Sequence, residues 1–309
     1  MRLSLYSAVA FKNPFGLARA FGIASSLGYG AVEVRGHSLD TPCIEARNVN
    51  AVGYDMIGPN TLDGSGAGDL LQNLRSANLA FSGISCYNPL TLPDGELAGQ
   101  CIGKFREMID FAVAMSIPWV RMIGFSEAPI KGVSLPLAEA KRLFVRRMKM
   151  LCRYGMGKKV GLLLENGENS IPGSSTETLE LADAIAESNL GIVFDAYNAV
   201  FEGLDPLAEL KILRGRVTCL HVKNARIRSP AADDYSPKGD RGFRWTLLTD
   251  GDIDYRVIME EAVSHGFDGE IVCEYANPYK GMSRKFWERI PDPWTWAEDA
   301  HEFLSPYMR

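Results

Sequence analysis

Short apolar runs alternate along the chain with longer segments whose apolar residues recur every three or four positions. Runs of four to six residues rich in Val, Ile, Leu and Phe predict buried parallel strands. Each predicted strand except the sixth is followed by a convincing amphipathic helix. The eight strands are predicted at Arg2–Val9, Ala31–Arg35, Phe81–Cys86, Trp119–Ile123, Val160–Leu164, the run LGIVFD that ends at Asp195, Val217–Leu220, and the run EIVC that precedes Glu274.

Capping and stop signals set the limits of the predicted helices. The first runs from Pro14 to Leu27 and stops at Gly28. The second begins at Asp69, after a glycine cluster, GSGAGD, that we predict to be a flexible loop with Asp69 as the N-cap. Further helices are predicted at Lys104–Ser116, at Leu137–Tyr154, after the capping box Ser174–Glu177, from Pro206, from the cap Asp254 to Gly266, and at Pro293–Leu304.

This alternation predicts one α/β domain over residues 1–309, a single (β/α)₈ TIM barrel. Such a barrel typically needs about 250 residues, with any extra length in its loops. No shift in composition marks a second domain. A doubly wound open sheet is the alternative, and it is weaker because no dinucleotide fingerprint follows the first strand.

Charge and cysteine usage narrow the class of protein. The net charge of −5 argues against a nucleic-acid partner, since binding to a phosphate backbone normally requires a basic patch. The six cysteines show no CxxC spacing, which fits a reducing compartment. No segment approaches the roughly 20 apolar residues of a membrane span, and the N-terminus resembles a strand and not a signal peptide. We therefore expect a cytoplasmic protein without a membrane partner.

The candidate chemistry lies at the ends of the last four strands. Each of them ends in a residue able to bind a metal: Glu165, Asp195, His221 and Glu274. A charge at the end of a buried strand is costly unless something pairs with it. In a barrel these four ends converge, so one divalent cation is the economical shared partner. Three carboxylates and one imidazole predict a site for Mn²⁺, with Mg²⁺, Co²⁺ or Zn²⁺ as alternatives. A structural zinc site would instead favour thiolate ligands.

These strand ends, together with LGYGAVEVRG and DGDIDYRVIMEEAVSHGFDGEIVCEY, resemble the xylose isomerase-like TIM barrels of the sugar phosphate isomerase/epimerase superfamily. The resemblance covers almost the whole chain. It implies that Glu165 and Glu274 are both metal ligands and the catalytic acid/base pair. They would move a proton between adjacent carbons of a small keto-sugar or cyclitol through a metal-bound cis-enediolate. The family also suggests a homo-oligomer.

Three positions depart from the family pattern. Gly167 and Asn198 stand where the family often has histidines, and Asn224 stands where it usually has an aspartate. The four predicted metal ligands match the family pattern despite these differences. Asn198 can still hydrogen-bond a hydroxyl, but it cannot shuttle a proton. A keto-sugar or inosose dehydratase, which is a lyase on the same scaffold, is therefore an alternative to an epimerase.

Four residues are candidates for contact with the substrate. Asn198 retains hydrogen-bonding capacity, and Lys223 points to the same side of its strand as His221. A salt bridge from Lys223 to a ligand carboxylate is an equal alternative. Arg226 is placed to reach a substrate hydroxyl or phosphate, and Glu33 is a candidate for the pocket mouth.

Two rival functions belong to other classes. Endonuclease activity of the endonuclease IV type needs a zinc cluster built from many histidines, and this chain has four histidines in all. A sugar-binding or partner subunit without catalysis is the second rival. It would have no reason to keep a costly cluster of carboxylates.

Overall fold

Eight parallel strands close into a barrel in the computed structural model, which describes residues 1–11, 13–36, 55–59, 64–87, 89–123, 125–126, 135–167, 170–228, 242–275 and 288–308. Each strand pairs with its neighbour in the ring, and the pairing of the first strand with both the second and the eighth closes it. The strands are β1 Arg2–Tyr6, β2 Ala31–Gly36, β3 Ala80–Ser85, β4 Trp119–Ile123, β5 Gly161–Glu165, β6 Leu190–Asp195, β7 Val217–Val222 and β8 Glu270–Cys273. The predicted TIM barrel is confirmed.

Helices surround this barrel and bury their apolar faces against it. The bounds are α1 Gly16–Leu27, α2 Gly64–Ser76, α3 Glu96–Ala114, α4 Leu137–Met156, α5 Ser175–Ile185, α6 Ala196–Phe201, α7 Pro206–Ile212, α8 Tyr255–Ser264 and α9 Pro293–Leu304. The predicted stop at Gly28 is confirmed, because this residue adopts a left-handed conformation with φ 88°. In the ranges that the structure describes, no helix combines the length and the apolar character that crossing a lipid bilayer requires.

The prediction of a loop at GSGAGD is wrong, because α2 begins at Gly64 and includes the whole cluster. Glycine weakens a helix by about 1 kcal/mol relative to alanine, but tertiary packing overrides this preference. Ala67, Leu70, Leu71 and Leu74 lie at helical spacings and pack on the core. The first strand is also shorter than predicted, because the chain turns into a 3₁₀ helix at Ser7–Ala10.

A β-hairpin follows β7, where the sequence predicts only a long connection. Residues Ala225–Arg228 pair antiparallel with Gly242–Trp245, and the segment between them lies outside the described residues. Asn224, which precedes this hairpin, is hydrogen-bonded to the chain that follows it. Its amide nitrogen donates to the carbonyls of Leu248 and Ile253 at 2.8 and 2.9 Å, and its amide oxygen accepts from the backbone of Ile253 at 3.2 Å. Gly251 packs so closely on Asn224 that a Cβ there would lie 1.9 Å from the amide carbon.

An apolar layer of inward-facing side chains lies inside the barrel and includes Leu163, Val193, Cys219 and Val272. Side chains two residues further along a strand point to the same face. The layer above Leu163, Val193, Cys219 and Val272 therefore consists of Glu165, Asp195, His221 and Glu274, and it lies at the carboxyl ends of the strands. In TIM barrels that end carries the active site.

Candidate metal centre

Four buried side chains meet at the carboxyl ends of β5 to β8. We call Glu165, Asp195, His221 and Glu274 the ligand set, and each of them offers an atom that lies within 4.8 Å of the others. Metal–oxygen and metal–nitrogen bonds of about 2.0–2.2 Å place opposite ligands about 4 Å apart. The arrangement is therefore of the size that one divalent ion requires.

The positions of the four residues in or directly after their strands bring them together. Glu165 and Asp195 are the last residues of β5 and β6. Asp195 is also the N-cap of α6, because its Oδ1 accepts a hydrogen bond from the backbone of Asn198 at 3.1 Å. His221 is level with Asp195 in the strand register. Glu274 follows β8, and its backbone N–H donates to the carbonyl of Val222 at 2.9 Å.

The His221 ring points one nitrogen at the ligand set and the other away from it. Nδ1 lies 3.0 Å from Glu274 Oε2 and 3.6 Å from Glu165 Oε1. Nε2 lies 3.2 Å from Glu33 Oε2. A histidine that binds a metal almost always directs its other nitrogen to a carboxylate or carbonyl, which fixes the ring orientation. This geometry fits a metal ligand at Nδ1 that is oriented by Glu33.

Two buried cations lie among the carboxylates. The Arg121 guanidinium contacts Glu165, and its Nε donates to Glu33 Oε1 at 2.6 Å. The Lys223 ammonium lies 2.6 Å from Asp195 Oδ2 and 2.9 Å from Glu274 Oε2. Each of the two lies close enough to a carboxylate oxygen to form a charge-assisted hydrogen bond.

Burial and these charges shift several pKa values. Burial raises the pKa of Glu165, with Arg121 and His221 opposing the shift. Burial alone would also raise the pKa of Glu274, but the Lys223 ammonium and His221 hold it well below its usual range. Burial alone would lower the pKa of His221, yet the Glu33 carboxylate raises it well above the ordinary value. The two glutamates of the ligand set thus lie in different electrostatic environments.

The candidate substrate residues are distributed unevenly. Lys223 lies inside the centre and forms the predicted alternative, a salt bridge to ligand carboxylates. Asn198 is buried next to Asp195, whose Oδ1 accepts from its backbone N–H, and its side chain donates to the carbonyl of Asn166 at 2.8 Å. Glu33 is buried behind His221 and does not lie at a pocket mouth. Arg226 is exposed on the hairpin and pairs with Asp250 at 2.7 Å. Contact of any of them with a substrate stays a prediction.

Arg121 is the part of the centre that the sequence analysis missed. It lies in the middle of β4, in the run WVRMI, and its side chain is fully buried inside the barrel. Its guanidinium also contacts the hydroxyls of Tyr6 and Tyr87, both at 3.3 Å. The available signal was a single charge inside an otherwise apolar strand, which requires a buried partner.

Comparison with known proteins agrees with this architecture. The sequence matches the family of xylose isomerase-like TIM barrels over residues 21–307. The chain belongs to this family. No curated protein sequence matches this xylose isomerase-like TIM barrel significantly.

Solved structures share the fold over nearly their whole length. D-psicose 3-epimerase from Clostridium cellulolyticum H10, solved with D-tagatose, has a TM-score of 0.72 at 12% identity, covering 100% of this chain and 99% of that chain. The probable 3-DHS dehydratase AsbF of Bacillus anthracis has a TM-score of 0.70 at 18% identity, covering 99% of both chains. A xylose isomerase-like TIM barrel protein from Mycobacterium smegmatis, in complex with magnesium, has a TM-score of 0.67 at 16% identity, covering 100% of this chain and 98% of that chain. At these identities the likeness shows a shared fold.

Proposed function

We propose that this xylose isomerase-like barrel is a divalent-metal-dependent isomerase or epimerase of a small keto-sugar or cyclitol. One observation carries the proposal. Two glutamate carboxylates, Glu165 and Glu274, approach the same nitrogen of His221 from different strands, at 3.6 and 3.0 Å. A pair of carboxylates around one metal-binding point suits proton transfer beside a carbonyl, which needs a base at the carbon and an electrophile at the oxygen.

The ligand set would hold the ion, which we propose to be Mn²⁺, with Mg²⁺, Co²⁺ or Zn²⁺ as alternatives. A bound divalent ion supplies a Lewis acid that polarises the substrate oxygens. The spacing of the four donors within 4.8 Å supports this role, as does the orientation of His221 by Glu33. The four donors are buried, and electrostatic interactions are stronger in a buried site than in water.

The two glutamates would carry the proton transfers at carbon. One carboxylate removes the proton from the carbon beside the carbonyl, and the electron pair of that C–H bond moves into an enediolate. The other carboxylic acid returns a proton to the opposite face of the same carbon, which is epimerisation. Return to the neighbouring carbon is isomerisation, which also requires the proton of the neighbouring hydroxyl to pass to the former carbonyl oxygen. Lys223, at 2.9 Å from Glu274 Oε2, helps to hold that carboxylate in its ionised, oriented form.

A dehydratase is the second candidate. In that reaction the same base removes the proton, but a β-hydroxyl then leaves in place of reprotonation. Asn198 favours it, because the amide lies where the family often has a histidine and is held against the Asn166 carbonyl at 2.8 Å. An amide cannot exchange protons with a substrate hydroxyl. The fold similarity to a probable dehydratase is consistent with this candidate.

The test combines elemental analysis of protein purified without chelator with solvent proton exchange. The enzyme is incubated in D₂O with ketoses, keto-cyclitols and hydroxypyruvate, and deuterium incorporation and products are measured. About one divalent metal per chain together with exchange into one substrate class is the expected result. An unsaturated product without epimer would identify the dehydratase. Metal without exchange into any substrate, in protein that still binds a sugar, would instead support a binding subunit.

A further inference from the structure

Each member of the ligand set is held by one of two cations in the fold itself. The Arg121 guanidinium contacts Glu165 directly and reaches His221 through Glu33, which accepts from Arg121 at 2.6 Å and faces the ring nitrogen at 3.2 Å. The Lys223 ammonium contacts the other two ligands, Asp195 and Glu274, at 2.6 and 2.9 Å. We call Arg121 and Lys223 the resident cations.

The charges of this cluster determine how stable it is without a metal. Carboxylates brought together in a buried site repel one another and lose their hydration, so the cluster opposes folding unless cations lie close by. Among the described residues of the centre, Glu33 and the three ligand carboxylates face two permanent cations. Four carboxylates against two permanent cations leave two negative charges, which a divalent ion would compensate on binding the neutral imidazole of His221.

We propose that the resident cations preassemble the metal centre, so that the chain folds before the ion binds and the ion is needed for chemistry and not for the fold. This inference rests on the proposed metal site. Arg121 acts here as a positioning residue, because it contacts Glu165 and Glu33 and would act on a bound ion only through these carboxylates. Both resident cations are at least nine-tenths buried, and both lie over tyrosine rings, Arg121 at 5.5 Å from Tyr6 and Lys223 at 5.3 Å from Tyr197.

The test measures thermal unfolding of the full-length chain after chelator treatment, with and without Mn²⁺. Anything that binds the native state raises Tm by mass action, so the rise on adding Mn²⁺ reports how strongly the fold depends on the ion. Three variants change the resident cations: Arg121→Met, Arg121→Lys and Lys223→Met. The matched control is Arg147→Met, which removes a buried guanidinium from α4 that bonds Asp94 and the Leu90 carbonyl outside the barrel.

We expect the chelator-treated wild type to stay folded and to show a small rise in Tm with Mn²⁺. Arg121→Met and Lys223→Met should lower the Tm of the metal-free protein more than that of the metal-bound protein, so that the rise at least doubles. Arg121→Lys keeps the charge and should stay close to wild type. The control should lower both Tm values alike and leave the rise unchanged.

Three outcomes would overturn the proposal. A wild type that unfolds on chelation would show that the resident cations are insufficient. An equal rise in Tm for the wild type and all variants would show that they do not compensate the carboxylates, while leaving the proposed metal-dependent function intact. A wild type that binds no divalent ion, measured by the same rise and by elemental analysis, would instead remove both the metal site and this inference. If Arg121→Met fails to fold even with Mn²⁺, Lys223→Met and Arg121→Lys decide the question.

Discussion

The two halves of the barrel contribute to the candidate metal centre in different ways. Strands β5 to β8 each present one ligand-type residue where the strand ends, at the rim of the barrel. Strands β2 and β4 contribute from within, because Glu33 and Arg121 lie inside their strands and point into the barrel. One half therefore offers donor atoms to a shared point, and the other half orients those donors through Glu33 and Arg121. Lys223, which directly follows β7, opposes their charge from within the ligand half.

This difference shows why a metal centre is more than its ligands. The outer partners of metal ligands fix ring orientation and basicity. Here Glu33 and Arg121 come from β2 and β4, whereas Lys223 directly follows β7, two residues after His221. The closure of the ring by the pairing of β1 with both β2 and β8 brings the two halves together. The following substitutions test the contribution of each half separately.

The largest effect is expected from the ligand half, at Glu274. Glu274→Gln removes one of the two proton-transferring groups, and such groups typically contribute 10²- to 10⁴-fold to a rate. We expect a loss of this size in kcat for deuterium exchange. Glu270→Gln is the matched control, because Glu270 lies at the other end of the same strand and pairs with Arg2 at 2.8 Å. A similar loss in both variants would contradict the assignment.

Asp195 tests the ligand half without disturbing its backbone. Asp195→Asn keeps an oxygen to cap α6 but removes the charge, whereas Asp195→Ala removes both. We expect Mn²⁺ affinity, measured by calorimetric titration, to fall in both variants by more than the 10- to 100-fold typical of changes outside the ligand shell. The alanine variant should lose about 1 kcal/mol more in unfolding free energy, the usual contribution of an N-cap. Unchanged Mn²⁺ affinity in the asparagine variant would remove Asp195 from the ligand set.

Glu33 tests the supporting half. Glu33→Gln keeps the shape of the side chain but removes the charge that faces His221 Nε2 at 3.2 Å. We expect Mn²⁺ affinity to fall about 10- to 100-fold, because an outer partner orients the ligand without touching the ion. Asp55→Asn, which changes a buried carboxylate paired with Arg35 at 2.8 Å, is the control. If Glu33→Gln binds Mn²⁺ as the wild type does, the two halves are not coupled through His221.

The smallest effect concerns the base of the hairpin, beside Lys223. A Cβ at Gly251 would lie 1.9 Å from the Asn224 side chain, so Gly251→Ala forces the amide to move. We expect a loss of about 1–3 kcal/mol in the free energy of unfolding, the usual cost of overpacking. Gly22→Ala is the control, since no atom lies within 4 Å of its added methyl group on α1. It should be neutral or stabilising by roughly 0.5–1 kcal/mol. Equal free energies of unfolding for the two variants would show that the Asn224 side chain moves aside without loss of stability.

The contrast between the halves also explains how much the sequence could predict. A charged residue that ends an apolar run is visible in the pattern, and four such ends predict a shared point in space. Arg121 lies in the middle of an apolar run. A charged residue at such a position is equally expected on a side of the strand that faces solvent. Its partners, Glu33 and Glu165, are 88 and 44 residues away along the chain. No local spacing links them, so the ion pairs emerge only when the strands are arranged in a ring.

The same reasoning applies to the fold. The presence of the eight strands, the stop of α1 at Gly28 and the bounds of α9 follow from local signals, and the structure agrees with them, although β1 ends at Tyr6 and not at Val9. The start of α2 does not follow from local signals, because glycines predict a loop until the apolar face of the helix meets the core. The hairpin after β7 was missed for a related reason. Its strands are short, and Phe243 and Trp245 pack on Tyr197 from a distant part of the chain.

The amide of Asn224 favours tolerance of changes in the length of the hairpin that follows it. By bonding to Leu248 and Ile253, it ties the return of the chain to the residue that immediately follows Lys223. The excursion that begins at Ala225 is thus anchored at its base, and the entropic cost of lengthening a loop between fixed ends grows only slowly with its length. A longer hairpin that keeps Phe243 and Trp245, which pack on Tyr197, would leave β7 and α8 in place. This position is therefore a natural insertion point for engineering, where new surface can be added next to the metal centre without rebuilding the barrel.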